Sequence, residues 1–188
     1  QSADCPYTID DQNTILSGNR KIFSGFATTD QVGGDHKPVC SGGFVYAGLS
    51  TGELVKVNPN SRNIEWIADI YRASNMTGGA KLTDIVAPIV INGGYVYAAG
   101  LGDAFCKIRA SNGARQWCLD IGVGVPFLIV DNFAFVVATN NYMYAINTDS
   151  GDVYWRSAVE SQSAPRFENN VISVGSRERF NVADGGQI

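Results

Sequence analysis

An all-β chain of repeated four-stranded antiparallel sheets, arranged as a β-propeller with about four blades present, is the fold this sequence predicts. Three observations predict it: one segment recurs in three gapless copies that each end in Trp, strand-sized apolar runs alternate with Gly- and Asn-bearing turns, and no helical pattern of useful length occurs. The copies are 43–66, 94–117 and 132–155, closing on Trp66, Trp117 and Trp155. Successive tryptophans lie 51 and 38 residues apart. The excess falls between Trp66 and Gly94, which makes 70–83 an insertion on a repeated frame.

Taken in order, the segment 14–27 reads as the last hairpin of a preceding unit, with Phe23 or Phe26 where Trp would stand. Repeat units follow at 37–69, 87–121, 125–159 and 164–188, each opened by a short Pro-bearing segment. In the third unit PFLIV, FAFVVAT, YMYAIN and DVYWRSA have strand length and β-branched or aromatic composition. Turns fall at Gly93-Gly94, Asn112-Gly113, Ser150-Gly151 and Gly185-Gly186, residues that tolerate positive φ in tight hairpins. A β-sandwich is the alternative, but it needs no self-similar units. The fourth unit stops short of its Trp, so the chain reads either as a small closed ring or as part of a seven- or eight-bladed one. An open arc would leave strand edges for self-association. The whole of 1–188 is read as one propeller domain or part of one.

Composition narrows the function. The 188 residues carry 14 Lys and Arg against 18 Asp and Glu, a net charge of −4, which argues against a nucleic-acid partner. Only 17% of residues are charged while 45% are apolar and 11% aromatic, unlike a disordered chain. No apolar run reaches the roughly 20 residues that span a bilayer as a helix. The first residues, QSADCPYTID, fit either a processed exported protein or a trimmed sequence.

Chemistry-bearing residues are sparse. The one histidine, His36, has no nucleophile and orienting group assigned to it by the sequence, and reads as a surface residue. Asp30, Asp35, Asp84, Asp103, Asp120, Asp131, Asp149 and Asp152 sit mostly in turn contexts, where a solvated capping role is expected. The run DSGD at 149–152 does not continue into a calcium loop, and no zinc spacing or phosphate-cradling GxGxxG occurs. No catalytic, cofactor-binding or metal residue is therefore expected. A hairpin centred near Asn112 would set Cys106 opposite Cys118, the geometry of a cross-strand disulfide; two buried thiols are the alternative. Cys5 would then pair with Cys40, or stand as a lipid-modified or terminal thiol. Bridges of this kind would point to an oxidising compartment.

The segment AINTDSGDVYW (145–155) resembles the tryptophan-docking repeat of the pyrroloquinoline-quinone-like propellers, Ala-x-Asp-x-x-x-Gly-x-x-x-Trp. Ala145, Gly151 and Trp155 match, and Asn147 stands for Asp; the second unit keeps Gly113 and Trp117, and the first keeps Trp66 with Asn58 at the Asp position. The resemblance implies that each Trp packs between neighbouring blades with the turn clamping it. It does not carry over the quinone-dependent activity, because the vicinal Cys-Cys pair of those dehydrogenases is absent from the sequence. It implies instead a non-enzymatic, protein-binding scaffold without cofactor, exported to the periplasm or cell exterior and membrane-associated, like the propeller lipoprotein of bacterial outer-membrane β-barrel assembly. The alternative is a fragment of a quinoprotein dehydrogenase whose active site lies on other blades. Within the insertion, Tyr71, Arg72, Asn75, Met76 and Lys81 are the candidate partner contacts, and Asn75-Met76-Thr77 would be a glycosylation sequon in a eukaryotic host.

Overall fold

A computed structural model describes residues 5–26, 37–71 and 83–188 of the chain. Among the described residues eighteen strands form five antiparallel sheets in chain order, and there is no helix. The first sheet has three strands, β1 (Tyr7–Ile9), β2 (Thr14–Ser17) and β3 (Arg20–Ser24). The second holds β4 (Val39–Ser41), β5 (Phe44–Gly48), β6 (Glu53–Asn58) and β7 (Asn63–Asp69). The third holds β8 (Val90–Asn92), β9 (Tyr95–Gly100), β10 (Ala104–Arg109) and β11 (Arg115–Leu119). The fourth comprises β12 (Leu128–Val130), β13 (Phe133–Ala138), β14 (Tyr142–Asn147) and β15 (Val153–Ala158), and the last β16 (Arg166–Glu168), β17 (Val171–Val174) and β18 (Glu178–Asn181).

The hairpin read at 14–27 as the last of a preceding unit is joined by a third strand, because Tyr7–Ile9 pairs with β2 in register Ile9↔Ile15. Register also decides between the two phenylalanines. Each full sheet has a bulge just before its Trp pairing, with Lys56↔Trp66, Lys107↔Trp117 and Ala145↔Trp155 beside it. In the first sheet the bulge follows Ile15↔Phe23, so Phe23 holds the Trp position and is 8% exposed, whereas Phe26 is 81% exposed.

The strands repeat one side-chain row that faces the next sheet. It reads Val39–Tyr46–Lys56–Trp66, then Val90–Tyr97–Lys107–Trp117, then Leu128–Phe135–Ala145–Trp155, each residue directly opposite the next. In each row the central aromatic ring meets its Trp at 5.9–6.2 Å between centroids, the offset distance that aromatic pairs favour. The reverse face of each following sheet is small and aliphatic, such as Val96, Ile108, Ala134 and Ile146, all at 0% exposure, and the large flat residues fill the wedge against it. Four hydrophobic clusters result, one per seam between successive sheets. Among the described residues no cluster joins the last sheet to the first.

Candidate protein-docking face

Two sets of loops lie at opposite ends of the strands. On one side, the turn before each Trp strand receives the preceding blade: Trp66, Trp117 and Trp155 donate their indole N–H to the carbonyls of Ala110, Thr148 and Val182 at 3.0, 3.0 and 2.8 Å. Those turns need glycine. A Cβ at Gly113 would stand 2.9 Å from the Trp66 ring and one at Gly151 2.7 Å from Trp117, with φ of +73° and +81°. In the second sheet the same left-handed position is Arg62, at φ 60°, where the preceding sheet offers the smaller Phe23. The asparagines read as substitutes for Asp close the turns: Asn58 Oδ1 accepts from Asn60 and Ser61, and Asn147 Oδ1 from Asp149 and Ser150.

Lys56 and Lys107 were not singled out in the sequence, and both are functional parts of these seams. Each Nζ donates to the carbonyl already bonded by its neighbouring Trp, Ala110 O at 3.0 Å and Thr148 O at 2.7 Å. Each ammonium also sits 4.0 Å above a ring, Phe44 and Tyr95 respectively. Burial pushes the Lys107 amine below the usual lysine range, and Asp149 at 3.9 Å pulls the other way. The one available signal was that Lys replaces the repeat's Ala at two of three positions.

The other side carries the insertion, and its two ends are fixed. Ile70 N–H donates to Gly52 O at 3.1 Å, Tyr71 N–H to Asp69 Oδ1 at 2.8 Å, and Thr83 Oγ1 to Ser50 O at 2.9 Å. Ile85 N–H reaches Leu49 O at 3.4 Å, and Asp84 O accepts from Leu101 N–H at 3.3 Å. Tyr71 was expected among the partner contacts; instead it is 9% exposed and belongs to the core. Its ring lies where a Cβ on Gly52 or Gly100 would stand, and its hydroxyl accepts the Gly102 N–H at 3.3 Å. Burial, against that hydrogen bond and with help from Asp84, Asp103 and Asp69, pushes the phenol up to about 12. Asp84, read as a solvated turn residue, is likewise buried at 1%. Arg72, Asn75, Met76 and Lys81, with Asp30, Asp35 and His36, lie outside the described residues.

The cysteines form two disulfides, Cys106–Cys118 between directly opposed residues of β10 and β11, and Cys5–Cys40, which ties the residues ahead of β1 to β4 of the next sheet. The Cys5 sulfur is therefore not available as a free or lipidated thiol. Among the described residues no group of three His, Cys, Asp or Glu side chains could hold a metal, and no helix is long and apolar enough to cross a membrane.

Radial antiparallel sheets of three or four strands, with a docking Trp over a glycine turn at three of the four described seams, define a β-propeller of pyrroloquinoline-quinone-like repeats. More narrowly, the chain belongs to the family described as outer membrane protein assembly factor BamB, whose profile matches residues 26–155 and 112–188. A relative in Bordetella pertussis, named outer membrane protein assembly factor BamB, is 25% identical over 146 residues, covering 76% of this chain and 38% of its own length. The Escherichia coli K12 protein of that name is 24% identical over 160 residues, so the chain spans about two fifths of the curated relatives it matches. Among solved structures, BamB from Moraxella catarrhalis superposes with a TM-score of 0.58 at 16% identity, covering 78% of this chain and 45% of that one. The arrangement of sheets is also that of a quinohemoprotein alcohol dehydrogenase from Comamonas testosteroni, with a TM-score of 0.53 at 17% identity, covering 67% of this chain and 21% of that one. At these identities the structural likenesses speak for the fold alone.

Proposed function

We propose that the chain is a non-enzymatic, protein-binding propeller segment of an exported, membrane-associated protein that serves outer-membrane protein assembly. The observation that carries this reading is the insertion: a segment absent from the other repeats, whose two described ends are bonded into a rigid seam in a chain of the assembly-factor family. Rigid blades that anchor both ends of an inserted segment suit a scaffold, since binding residues collect on segments that a scaffold positions. The two disulfides fit an oxidising compartment such as the periplasm. The docking residues in this reading are Arg72, Asn75, Met76 and Lys81, with Tyr71 as their buried anchor.

The test replaces 73–81 with a short Gly-Ser linker in the full-length protein in its own host. The reading requires an unchanged melting temperature together with a fall in β-barrel proteins recovered from the outer membrane. Normal β-barrel content with the loop removed would reject the loop as the docking element. Addition of quinone and Ca²⁺ to the purified protein tests the dehydrogenase alternative, which demands a bound quinone absorbance band.

A further inference from the structure

One buried carbonyl at the root of the insertion faces a sulfur that has no hydrogen to give. Ile70 is 2% exposed, its N–H donates to Gly52 O at 3.1 Å, and its own carbonyl oxygen lies 3.5 Å from Cys106 Sγ. No N–H or O–H among the described residues donates to that oxygen, and a disulfide sulfur carries no hydrogen to donate. Buried backbone acceptors are nearly always bonded, so this one calls for an explanation. The Cys106–Cys118 bridge sits on the face of the third sheet that meets the second, at the register position where the other full sheets carry Val55–Ile67 and Tyr144–Arg156. Cys106 there shares one core cluster with Ile70, Tyr71 and Ile85, the two roots of the insertion.

We propose that Cys106–Cys118 is a reversible redox pair, opened by a dithiol reductant through attack at Cys118, and that its dithiol form bonds Cys106 to the root of the insertion. Cys118 is half-buried on β11, an edge strand of its sheet, whereas Cys106 is at 0% exposure, so an external thiolate reaches the Cys118 sulfur. A bond forms between that thiolate and Cys118 Sγ, the Cys106–Cys118 bond breaks, and its electron pair passes to Cys106 Sγ, which takes a proton. The second thiolate of the reductant then attacks the reductant's own sulfur in the mixed disulfide. Cys118 leaves as a thiolate and is protonated, and the reductant departs as a cyclic disulfide, having given up two electrons and two protons. The new Cys106 S–H stands at hydrogen-bond distance from Ile70 O, and is the donor that the oxidised form lacks.

Redox state and anchor are coupled in both directions. Reduction adds a bond to Ile70, and loosening the chain at Ile70 and Tyr71 weakens the dithiol form by the same factor. Tyr71 is the residue through which to loosen it, since its hydroxyl accepts the Gly102 N–H at 3.3 Å across the same seam. This inference does not depend on the insertion as a docking element, because both coupled groups lie outside 73–81.

The full chain carrying Cys5→Ser/Cys40→Ser, equilibrated with reduced and oxidised dithiothreitol, tests it, with the dithiol fraction read by mass after alkylation. Melting temperatures confirm that each variant folds in both states. The expected result is reversible interconversion of folded protein and an infrared S–H stretch of Cys106 below that of an unbonded thiol, lost in Cys106→Ala. Tyr71→Phe should shift the equilibrium about threefold toward the disulfide. Trp155→Phe, at a distant seam, and replacement of 73–81 should leave it unchanged, and the second of these separates this inference from docking by the insertion. Reduction that occurs only on unfolding, an S–H stretch at the unbonded frequency, or an unshifted equilibrium in Tyr71→Phe overturns the proposal. So does an equal shift in Trp155→Phe, because the effect would then report general loosening of the fold.

Discussion

Trp117 and Lys107 stand opposite each other on paired strands and share one acceptor, the carbonyl oxygen of Thr148 in the next blade, at 3.0 and 2.7 Å. Trp66 and Lys56 repeat the arrangement on Ala110. Both lone pairs of each carbonyl are thereby used, and the seam is fixed by two donors of different chemistry as well as by ring packing.

Either donor alone leaves the Thr148 carbonyl bonded, so Lys107→Met is expected to cost only about 1 kcal/mol. Removing both, in Lys107→Met/Trp117→Phe, leaves a buried acceptor without a partner. That double variant should lose at least about 1 kcal/mol more than the two single losses added together. Urea midpoints of the four proteins measure this coupling, and simple additivity would show that the shared acceptor is unimportant.

The same lysine gives an alkaline signature. Burial lowers its pKa in the folded protein, so the unfolded chain holds the proton more tightly, and stability rises with pH as it approaches the ordinary lysine value of 10.5 from below. This contribution should vanish in Lys107→Met, read as the difference in urea midpoint between the two proteins across that range.

Tyr71 acts with the opposite sign. Its folded pKa of about 12 lies above the ordinary 10.0, so the folded state keeps its proton longer and stability falls as pH climbs through that interval. Tyr71→Phe removes the latest step in the tyrosinate absorbance titration. It also strands the Gly102 N–H, with an expected cost of about 1–2 kcal/mol at neutral pH.

Glycine beneath a Trp is a steric requirement, and Arg62 is its internal control. Gly151→Ala should cost about 2 kcal/mol or more, since it adds left-handed strain to a Cβ 2.7 Å from Trp117. Arg62→Gly should change stability by less than about 1 kcal/mol, because relief of left-handed strain and added chain entropy offset each other. Thermal melts of both variants decide the matter.

The Cys106–Cys118 bridge closes a short loop between paired strands. Cys106→Ser/Cys118→Ser should lower stability by about 3 kcal/mol, with the loss reproduced in the parent protein under reducing agent once Cys5–Cys40 is accounted for by its own double variant. Equal urea midpoints would place the stabilisation elsewhere.

Repeats, strand segments, turn residues and the positions of the three tryptophans were legible in the sequence, because period-two alternation and positive-φ turns are local properties that recur at fixed spacing. The opposition of Cys106 and Cys118 followed from the same hairpin arithmetic. Packing between sheets decided the rest. Phe23 rather than Phe26 holds the first seam because a bulge sets the register, and Tyr71 turns inward because Gly52 and Gly100 of two adjacent blades leave space for its ring. Lys56 and Lys107, which nothing in the sequence singled out, are buried because the next blade brings a carbonyl to each ammonium. Sequence by itself fixed what each blade is made of; which face of a blade meets its neighbour, and which charges that meeting covers, depends on groups from separate repeats that only the tertiary structure brings within hydrogen-bond distance.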